Sequence, residues 1–211
     1  MITAVISDFG GVLTTPLMLS FAAFQDRSGI PAEALGRAMQ AIAEREGAHP
    51  LYELEKGKVT ERLFLDQIGA ALEPELGHVP EMHDFGEIYF EALDPNEPMI
   101  ELMREARRSG RRMALLTNNV REWEPRWRGM LPVDEIFEIV VDSAFVGMRK
   151  PEPPIYELTL ERLGDGVAPD DCLFVDDVLV NVEAARDLGM RAVHFRDNEQ
   201  AISEMRELLE L

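Results

Sequence analysis

The stretch ITAVISDFGGV, residues 2–12, decides the fold of this chain. It opens with a short apolar run rich in β-branched residues, from Ile2 to Ser7, and this run ends at Asp8 and the glycine pair Gly10-Gly11. Such a run is typical of a buried strand, and the two glycines favour a tight loop after it. We therefore predict a buried first strand that ends at the Asp8 carboxylate.

Apolar runs of the same kind recur along the chain, and segments with helical spacing separate them. The further predicted strands are Met113–Leu116, Ile136–Val141, Leu173–Val175 and Ala192–Phe195. The helices predicted between them are Met99–Arg108, Pro154–Leu163 and Val182–Leu188, and a glycine soon follows each one. Strands that alternate with helices predict an α/β fold with a Rossmann-like parallel sheet and right-handed crossovers.

The stretch from Pro16 to Ala92 breaks this alternation. Its patterns, such as Leu51–Glu55 and Thr60–Ala71, are helical and amphipathic, and no segment in it favours a strand. Thr60 is the predicted N-cap of the second of these helices. We predict a core domain made of residues 1–15 and 93–211, and an all-helical cap domain, residues 16–92, that is inserted over the edge of the sheet.

The bulk composition limits the classes of protein to consider. Of 211 residues, 46% are hydrophobic, which is enough for a substantial core. The net charge of −19 repels the phosphates of nucleic acids and anionic membranes, so neither is an expected partner. Cys172 is the single cysteine, which excludes an intrachain disulfide. With no signal peptide and no long apolar run in the sequence, we expect a cytoplasmic protein.

Four short segments carry polar residues that suit phosphate or a metal ion. They are Ser7-Asp8, Leu116-Thr117-Asn118, Arg149-Lys150-Pro151 and Val175-Asp176-Asp177. Each is expected to end a strand, and the carboxyl ends of parallel strands face one crevice in which ligands bind. The two adjacent carboxylates repel each other, and a hard cation such as Mg²⁺ would supply the counter-charge that they need. The combination suits a metal-assisted attack on a phosphate ester.

Each of these residues, taken alone, also fits a purely structural role. Asp8 can attack phosphorus as a nucleophile, or it can cap the loop that follows. Thr117 and Asn118 can donate hydrogen bonds to phosphate oxygens, or they can occupy a turn. Lys150 can neutralise a phosphate, or it can be an ordinary surface residue. The phosphate interpretation depends on all four segments in this order.

The order of the segments resembles the haloacid dehalogenase superfamily of hydrolases. The matching motifs are Asp8-Phe-Gly-Gly-Val-Leu, Leu-Leu-Thr117-Asn118-Asn119, Lys150-Pro and Val-Asp176-Asp177-Val-Leu-Val-Asn181. The helical stretch after the first motif is similar to the C1-type cap of that superfamily. The whole chain looks like the N-terminal phosphatase domain of soluble epoxide hydrolases. Together the four motifs are specific for the superfamily, although not for a substrate.

The resemblance implies how the chain would handle a phosphoryl group. Asp8 would be the catalytic nucleophile, and Lys150 would steady the phosphoryl group together with it. Thr117 and Asn118 would hold the group that is transferred. Gly11, which has no side chain and lets a ligand approach the backbone closely, is a further expected phosphate contact.

The resemblance also implies a magnesium site. Mg²⁺ would bind Asp8, the backbone carbonyl of Gly10 and Asp177, with Asp176 beside them. Asn181 would support the Lys150 and metal region without touching the ion itself. The cap would close over a small phosphorylated substrate and exclude water.

One position departs from the pattern of the superfamily's phosphatases. They usually carry a second aspartate two residues after the nucleophile, which protonates the leaving oxygen and later activates water. Here this position is Gly10. The metal contact through the backbone carbonyl survives, but the side-chain acid is lost, and general acid-base catalysis is worth about 10²–10⁴ in rate.

Three alternatives for the function therefore stay open. The one that we favour is a phosphatase whose substrate has a good leaving group, such as a sugar-1-phosphate or an acyl phosphate, or which takes its acid from the cap or from water. A haloacid dehalogenase is the second, but it would need no Mg²⁺ and has little use for the acidic doublet. The third is a catalytically weak or inactive protein that has a phosphate-binding or regulatory role. The oligomeric state is also open, with a homodimer as one alternative.

Overall fold

One parallel sheet organises the molecule. The computed structural model describes residues 1–82, 84–164 and 166–211. Within these ranges five strands pair in the order β3-β2-β1-β4-β5. The strands are β1 (Ala4–Ser7), β2 (Arg112–Thr117), β3 (Ile139–Asp142), β4 (Cys172–Asp176) and β5 (Arg191–His194). The predicted α/β class and the Rossmann-like parallel sheet are confirmed.

The third strand begins later than its sequence pattern predicts. The apolar run from Ile136 to Val141 suggested a single strand, but α8 (Val133–Ile136) takes up its first residue and β3 starts at Ile139. Ile136 and Phe137 are buried all the same. A buried helical turn and a buried strand give the same short apolar run, so the pattern does not separate them.

Helices cover both faces of the sheet. Successive side chains of β1 point in opposite directions, so that Val5 packs in one buried cluster and Ile6 in the other. The first face is covered by α6 (Glu97–Arg108) and α12 (Asn198–Leu209), and the second by α10 (Pro153–Leu163) and α11 (Leu179–Asp187). With both faces covered, every residue of β1 is buried, which explains its continuous apolar sequence.

Between β1 and α6 the chain forms a helical segment. Its helices are α1 (Met18–Ser28), α2 (Ala32–Glu46), α3 (Pro50–Glu55), α4 (Glu61–Leu76) and α5 (Phe85–Glu91). Thr60 is the N-cap of α4, as predicted, and its hydroxyl accepts a hydrogen bond from the Leu63 N–H. The chain enters and leaves this segment side by side, through an antiparallel bridge between Thr14 and Pro95.

The remaining short elements connect the strands. They are α7 (Glu124–Met130), α9 (Ser143–Val146) and the 3-10 turns Arg121–Trp123 and Pro169–Asp171. Among the helices described, none combines the length and the hydropathy that a bilayer-spanning segment requires.

The register of the sheet brings the predicted site residues to one edge. Ser7 pairs with Leu115 of β2 and with Val175 of β4. Asp8 and Asp176 each come one residue later, so they lie level with each other on neighbouring strands. The strand ends that the sequence singled out on β1, β2 and β4 therefore share one crevice.

Candidate active site

A buried lysine joins two carboxylates at the centre of the crevice. Lys150 Nζ lies 2.7 Å from Asp8 Oδ1 and 2.6 Å from Asp176 Oδ2. The lysine side chain is 1% exposed, and a charge buried this deeply needs a partner. Burial by itself lowers the pKa of Lys150, but the attraction of Asp176 and Asp8 outweighs it and raises that pKa. The ammonium therefore stays charged between the two acids.

Lys150 reaches this position from a loop and not from the end of a strand. The prediction that its segment ends a strand is wrong, because α9 and Gly147 separate it from the last residue of β3. Asn118 holds the loop in place. Its Oδ1 accepts a hydrogen bond from the Lys150 N–H at 2.8 Å, and its Nδ2 donates to the Lys150 carbonyl oxygen at 3.0 Å. An amide side chain matches a peptide group in this way, with one donor and one acceptor.

The two hydrogen bonds to the Lys150 backbone limit which groups of Asn118 can bind a ligand. Asn118 was expected to hold phosphate, and this stays a prediction. Both ends of its side-chain amide are occupied by the Lys150 backbone, which leaves the backbone N–H of Asn118 as the donor for such a contact. Thr117 differs, since the contacts of its hydroxyl in the described part of the chain are long, 3.5 Å to the Asn118 carbonyl oxygen and 3.5 Å to Asn119 Nδ2. Contacts of that length are weak hydrogen bonds. The Thr117 hydroxyl is therefore the better placed of the two for a ligand.

Asp176 is fully engaged by protein groups. While its Oδ2 pairs with Lys150, its Oδ1 accepts hydrogen bonds from the Val178 N–H at 2.8 Å and from Asn181 Nδ2 at 3.0 Å. Asn181 is in turn fixed through its carbonyl oxygen, which accepts from the Tyr156 hydroxyl at 3.0 Å. The structure thus places Asn181 beside Asp176, where it orients the counter-ion of the lysine.

Asp177 and Gly11 fit against each other closely. A Cβ atom on Gly11 would lie 2.2 Å from Asp177 Oδ2, so no other residue can stand at position 11 without moving that carboxylate. Gly11 also has a φ of 75°, in the left-handed region that favours glycine. Its N–H donates to Thr14 Oγ1 at 3.0 Å. A phosphate contact at Gly11 stays a prediction.

Three carboxylates lie close enough together to bind one divalent cation. One oxygen each from Asp8, Asp176 and Asp177 lie within 4.8 Å of one another. Burial raises the pKa of Asp8 to about 8, and burial together with the charge of Asp176 raises the pKa of Asp177 to about 6. A bound cation would stabilise the charged forms of these carboxylates, and a set of hard oxygen ligands fits Mg²⁺.

The Gly10 carbonyl is the remaining predicted metal ligand. Within the described ranges, no residue donates a hydrogen bond to this oxygen. Its role as a ligand stays a prediction, as do the roles of the carboxylates. The residues present fit the ion by their chemistry and by their proximity.

A cavity of about 280 Å³ opens next to Asp8. Its floor includes Gly10, Thr117 and Asn118, and its walls come from all five helices of the helical segment. Representative wall residues are Phe21, Met39, Leu54, Ile68 and Phe85. The sequence pattern did not single out these residues, because an apolar residue that lines a cavity has the same spacing as one that fills a core.

Two polar residues of the cavity wall already have partners. Glu55 Oε2 lies 2.6 Å from Arg149 Nε, and Glu61 Oε1 accepts a hydrogen bond from Trp123 Nε1 at 2.8 Å. Burial raises the pKa of Glu55, while Arg149 opposes the change. Glu55 was not predicted as a site residue, because nothing in its spacing distinguishes it from the surface acids of the same segment.

Ion pairs tie α3 to the loop that carries Lys150. Besides the Glu55–Arg149 pair, Lys56 pairs with Glu152. The guanidinium of Arg149 also lies over the ring of Tyr52, 3.8 Å from its centroid. The two residues on the loop, Arg149 and Glu152, flank Lys150 on both sides. The helical segment therefore contacts the loop on either side of the central lysine.

Comparison with known proteins identifies relatives along nearly the whole chain. A family model for haloacid dehalogenase-like hydrolases matches residues 2–189. Acyl-CoA dehydrogenase family member 10 of Mus musculus is 29% identical over 209 residues, which is 98% of this chain and 19% of that protein. Bifunctional epoxide hydrolase 2 of Rattus norvegicus is 27% identical over 210 residues, 94% of this chain and 37% of that protein. The chain therefore spans well under half the length of these two relatives.

A shorter relative and a solved structure agree with this assignment. Phosphoserine phosphatase of Thermus thermophilus is 34% identical over 170 residues, which cover 77% of this chain and 66% of that protein. A haloacid dehalogenase family enzyme of Bacteroides thetaiotaomicron, solved with magnesium and inorganic phosphate, superposes with a TM-score of 0.68 at 23% identity, over 93% of this chain and 95% of that one. This likeness shows the fold. The chain belongs to the haloacid dehalogenase-like hydrolases.

Proposed function

We propose that this protein is a magnesium-dependent phosphatase in which Asp8 attacks the phosphorus of a monoester. The observation that carries the proposal is the position of Asp8. Its carboxylate is paired with buried Lys150 and stands beside two further carboxylates, and the next two residues, Phe9 and Gly10, line a cavity. The similarity to phosphoserine phosphatase of Thermus thermophilus, one of several phosphatases among the relatives, supports hydrolysis of a phosphate ester.

One oxygen of Asp8 is held and the other is available for attack. Oδ1 accepts a hydrogen bond from the Phe9 N–H at 2.7 Å and the ion pair from Lys150. Oδ2 would form the new bond to phosphorus as the bond from phosphorus to the ester oxygen breaks, giving an aspartyl phosphate and an alcohol. The departing oxygen takes its proton from water. A second water then attacks phosphorus, which releases phosphate and restores Asp8.

The surrounding groups stabilise the charge that moves in these steps. The Lys150 ammonium and the Thr117 hydroxyl would contact the phosphoryl oxygens. Asp8, Asp177 and the Gly10 carbonyl would hold Mg²⁺, which when bound supplies positive charge to the phosphoryl group and orients it. Asp176 and Asn181 would act through the lysine, by fixing its position and keeping it charged.

We also propose that residues 16–92 act as a cap over a core made of residues 1–15 and 93–211. The two connections between the cap and the core lie side by side at the antiparallel bridge between Thr14 and Pro95, and the cap would rotate about them as a hinge. The pairs Glu55–Arg149 and Lys56–Glu152 would hold the cap against the Lys150 loop. In that position the cap would keep bulk water from competing with Asp8 for the phosphorus, while a single bound water would protonate the departing oxygen.

The proposal is tested by phosphate release from 4-nitrophenyl phosphate, an aryl ester whose leaving group needs no acid. With millimolar Mg²⁺ the purified protein is expected to hydrolyse this ester, and EDTA is expected to abolish the reaction until Mg²⁺ is returned in excess. A rate that equals that of buffer at every Mg²⁺ concentration would favour the third alternative, an inactive protein that binds phosphate.

Replacing Gly11 by Ala is expected to weaken Mg²⁺ binding about 10- to 100-fold, as changes beside metal ligands commonly do. The new methyl group would lie 2.2 Å from Asp177 Oδ2 and push that carboxylate away. Titration calorimetry with Mg²⁺ measures the change directly and needs no substrate.

Gly47→Ala is the matched control for this substitution. Gly47 has a φ of 74°, against 75° for Gly11, but no atom of the described residues lies within 4 Å of the added carbon. Both variants should lose about 1–2 kcal/mol of stability from the left-handed backbone. Only Gly11→Ala should lose Mg²⁺ affinity, and equal affinities in the two variants would remove Asp177 from the metal site.

A further inference from the structure

We propose that the cavity beside Asp8 receives an apolar substrate body, so that the substrate is the phosphate monoester of an apolar group of about ten carbon atoms. This inference rests on the proposed phosphatase function and names the substrate class of the same site. Its basis is the chemistry of the cavity wall, the partners of the polar groups in that wall, and the volume enclosed.

The wall is built mainly from aliphatic and aromatic side chains of the helical segment, and Trp123 of the 3-10 turn after β2 adds its indole ring. Tyr89 and Trp123 stack with their ring centroids 4.8 Å apart, and Phe85 lies 6.0 Å from the same indole. Met39 and Leu35 of α2 also line the cavity. Surfaces of this kind gain free energy by removing apolar groups from water, and they offer little to a polar ligand.

Few polar groups in the wall are left for a ligand, and the Tyr89 hydroxyl, for which no hydrogen-bond partner is found among the described residues, is one of them. Glu55 is paired with Arg149, and Glu61 accepts from Trp123 Nε1. A sugar or amino acid body would place hydroxyl or amino groups against the remaining apolar surface. Each such group left without a partner lowers affinity roughly 5- to 100-fold. The cavity therefore selects against polar metabolites, including the sugar-1-phosphates that the sequence left as candidates.

The enclosed volume sets the size of the apolar body. A cavity of about 150 Å³ in another protein accommodates benzene, with its six carbon atoms. The cavity next to Asp8 measures about 280 Å³, nearly twice as much. It therefore has room for about ten or eleven carbon atoms beyond the phosphate.

A series of 4-alkylphenyl phosphates tests the inference. All members have nearly the same phenol as leaving group, so the missing side chain at Gly10 affects them equally. From phenyl to 4-butylphenyl phosphate, kcat/KM is expected to rise about fourfold for each methylene, as burial of a methylene predicts, and then to level off or fall. The ester 4-(2-hydroxyethoxy)phenyl phosphate, with the same length as the butyl compound, should lose most of this gain.

The outcomes separate this inference from the proposed function. If phenyl phosphate is hydrolysed and the butyl and hydroxyethoxy compounds have the same kcat/KM as phenyl phosphate, the apolar substrate class is wrong and the phosphatase proposal stands. If no member is hydrolysed with Mg²⁺, the phosphatase proposal fails, and the substrate class fails with it. If kcat/KM rises steadily along the alkyl series and the hydroxyethoxy compound does not share this rise, both the phosphatase proposal and the apolar substrate class are supported.

A pair of Met→Trp variants locates the effect in the cavity. Met39 lines the cavity from α2, whereas Met18 is 69% exposed and lies outside it. Met39→Trp should fill the end of the cavity and lower the ratio of kcat/KM for 4-butylphenyl over phenyl phosphate at least about tenfold. Met18→Trp should leave this ratio unchanged. The ratio does not depend on the active fraction of the protein, and an equal ratio in both variants would overturn the placement.

Discussion

Asp8→Asn is expected to reduce hydrolysis of 4-nitrophenyl phosphate by about 10⁴-fold or more, as loss of a nucleophile does in other hydrolases. The asparagine keeps a carbonyl oxygen that can accept from the Phe9 N–H and from Lys150, as Asp8 Oδ1 does. It replaces the other oxygen, the one available for attack, by an amide nitrogen. The variant should therefore fold normally and fail only in the first chemical step.

Asp142→Asn serves as the control for this change. Asp142 is likewise buried at the end of a strand, where its carboxylate accepts from the Ala144 N–H at 2.9 Å. Among the described residues, the ion pairs of Lys150 are with Asp8 and Asp176 and not with Asp142. Its replacement should leave turnover close to that of the wild type. If Asp8→Asn retained the wild-type rate while Mg²⁺ dependence persisted, the activity would come from another site or from a contaminant.

Gly10→Asp is expected to increase turnover of alkyl phosphates by up to about 10²–10⁴, the range of general acid-base catalysis. Alkyl esters have poor leaving groups that benefit from a proton, whereas aryl esters should gain far less. The backbone allows the change, because Gly10 is not among the glycines with positive φ. The added Cβ would lie 3.1 Å from the end of the Leu17 side chain, which has to shift slightly.

Gly10→Asn provides the matched comparison for the acid. Asparagine has the same shape as aspartic acid and meets Leu17 in the same way, but it cannot donate or accept the catalytic proton. The ratio of kcat/KM for alkyl over aryl phosphates should therefore rise only with aspartate. If both variants raised the ratio equally, or neither did, acid catalysis would not be what position 10 lacks. Combining each variant with Leu17→Ala removes the steric contact from the comparison.

Much of the core could be predicted from the sequence because its signals are local. A buried parallel strand is a short apolar run, and the runs ending at Asp8, Thr117 and Asp176 correspond to β1, β2 and β4 within two residues. The N-cap at Thr60 is equally local, since its hydroxyl bonds to the N–H three residues on. The start of β3 was misplaced because a buried helical turn precedes it with the same apolar residues.

Parts of the candidate site were beyond the reach of sequence patterns. The sequence singled out Asn118 for a phosphate contact, which stays a prediction, and gave no sign that its side-chain amide binds the backbone of Lys150. Lys150 itself was expected at a strand end and comes from a loop. These contacts join residues 32 positions apart. Spacing along the chain carries no information about such pairs, and a single sequence offers no other signal for them.

By itself the sequence determined the parallel sheet, the order of its motifs and the collection of Asp8, Thr117 and the acidic doublet at one edge, because alternating apolar runs and helices admit few topologies. Two features were decided only by the tertiary structure. One is which oxygen of Asp8 pairs with Lys150, and the other is the mainly apolar cavity that the residues following Asp8 help to line. Both depend on how distant segments pack, since a cavity is the space that packed helices leave and an ion pair is fixed by the atoms that burial brings together.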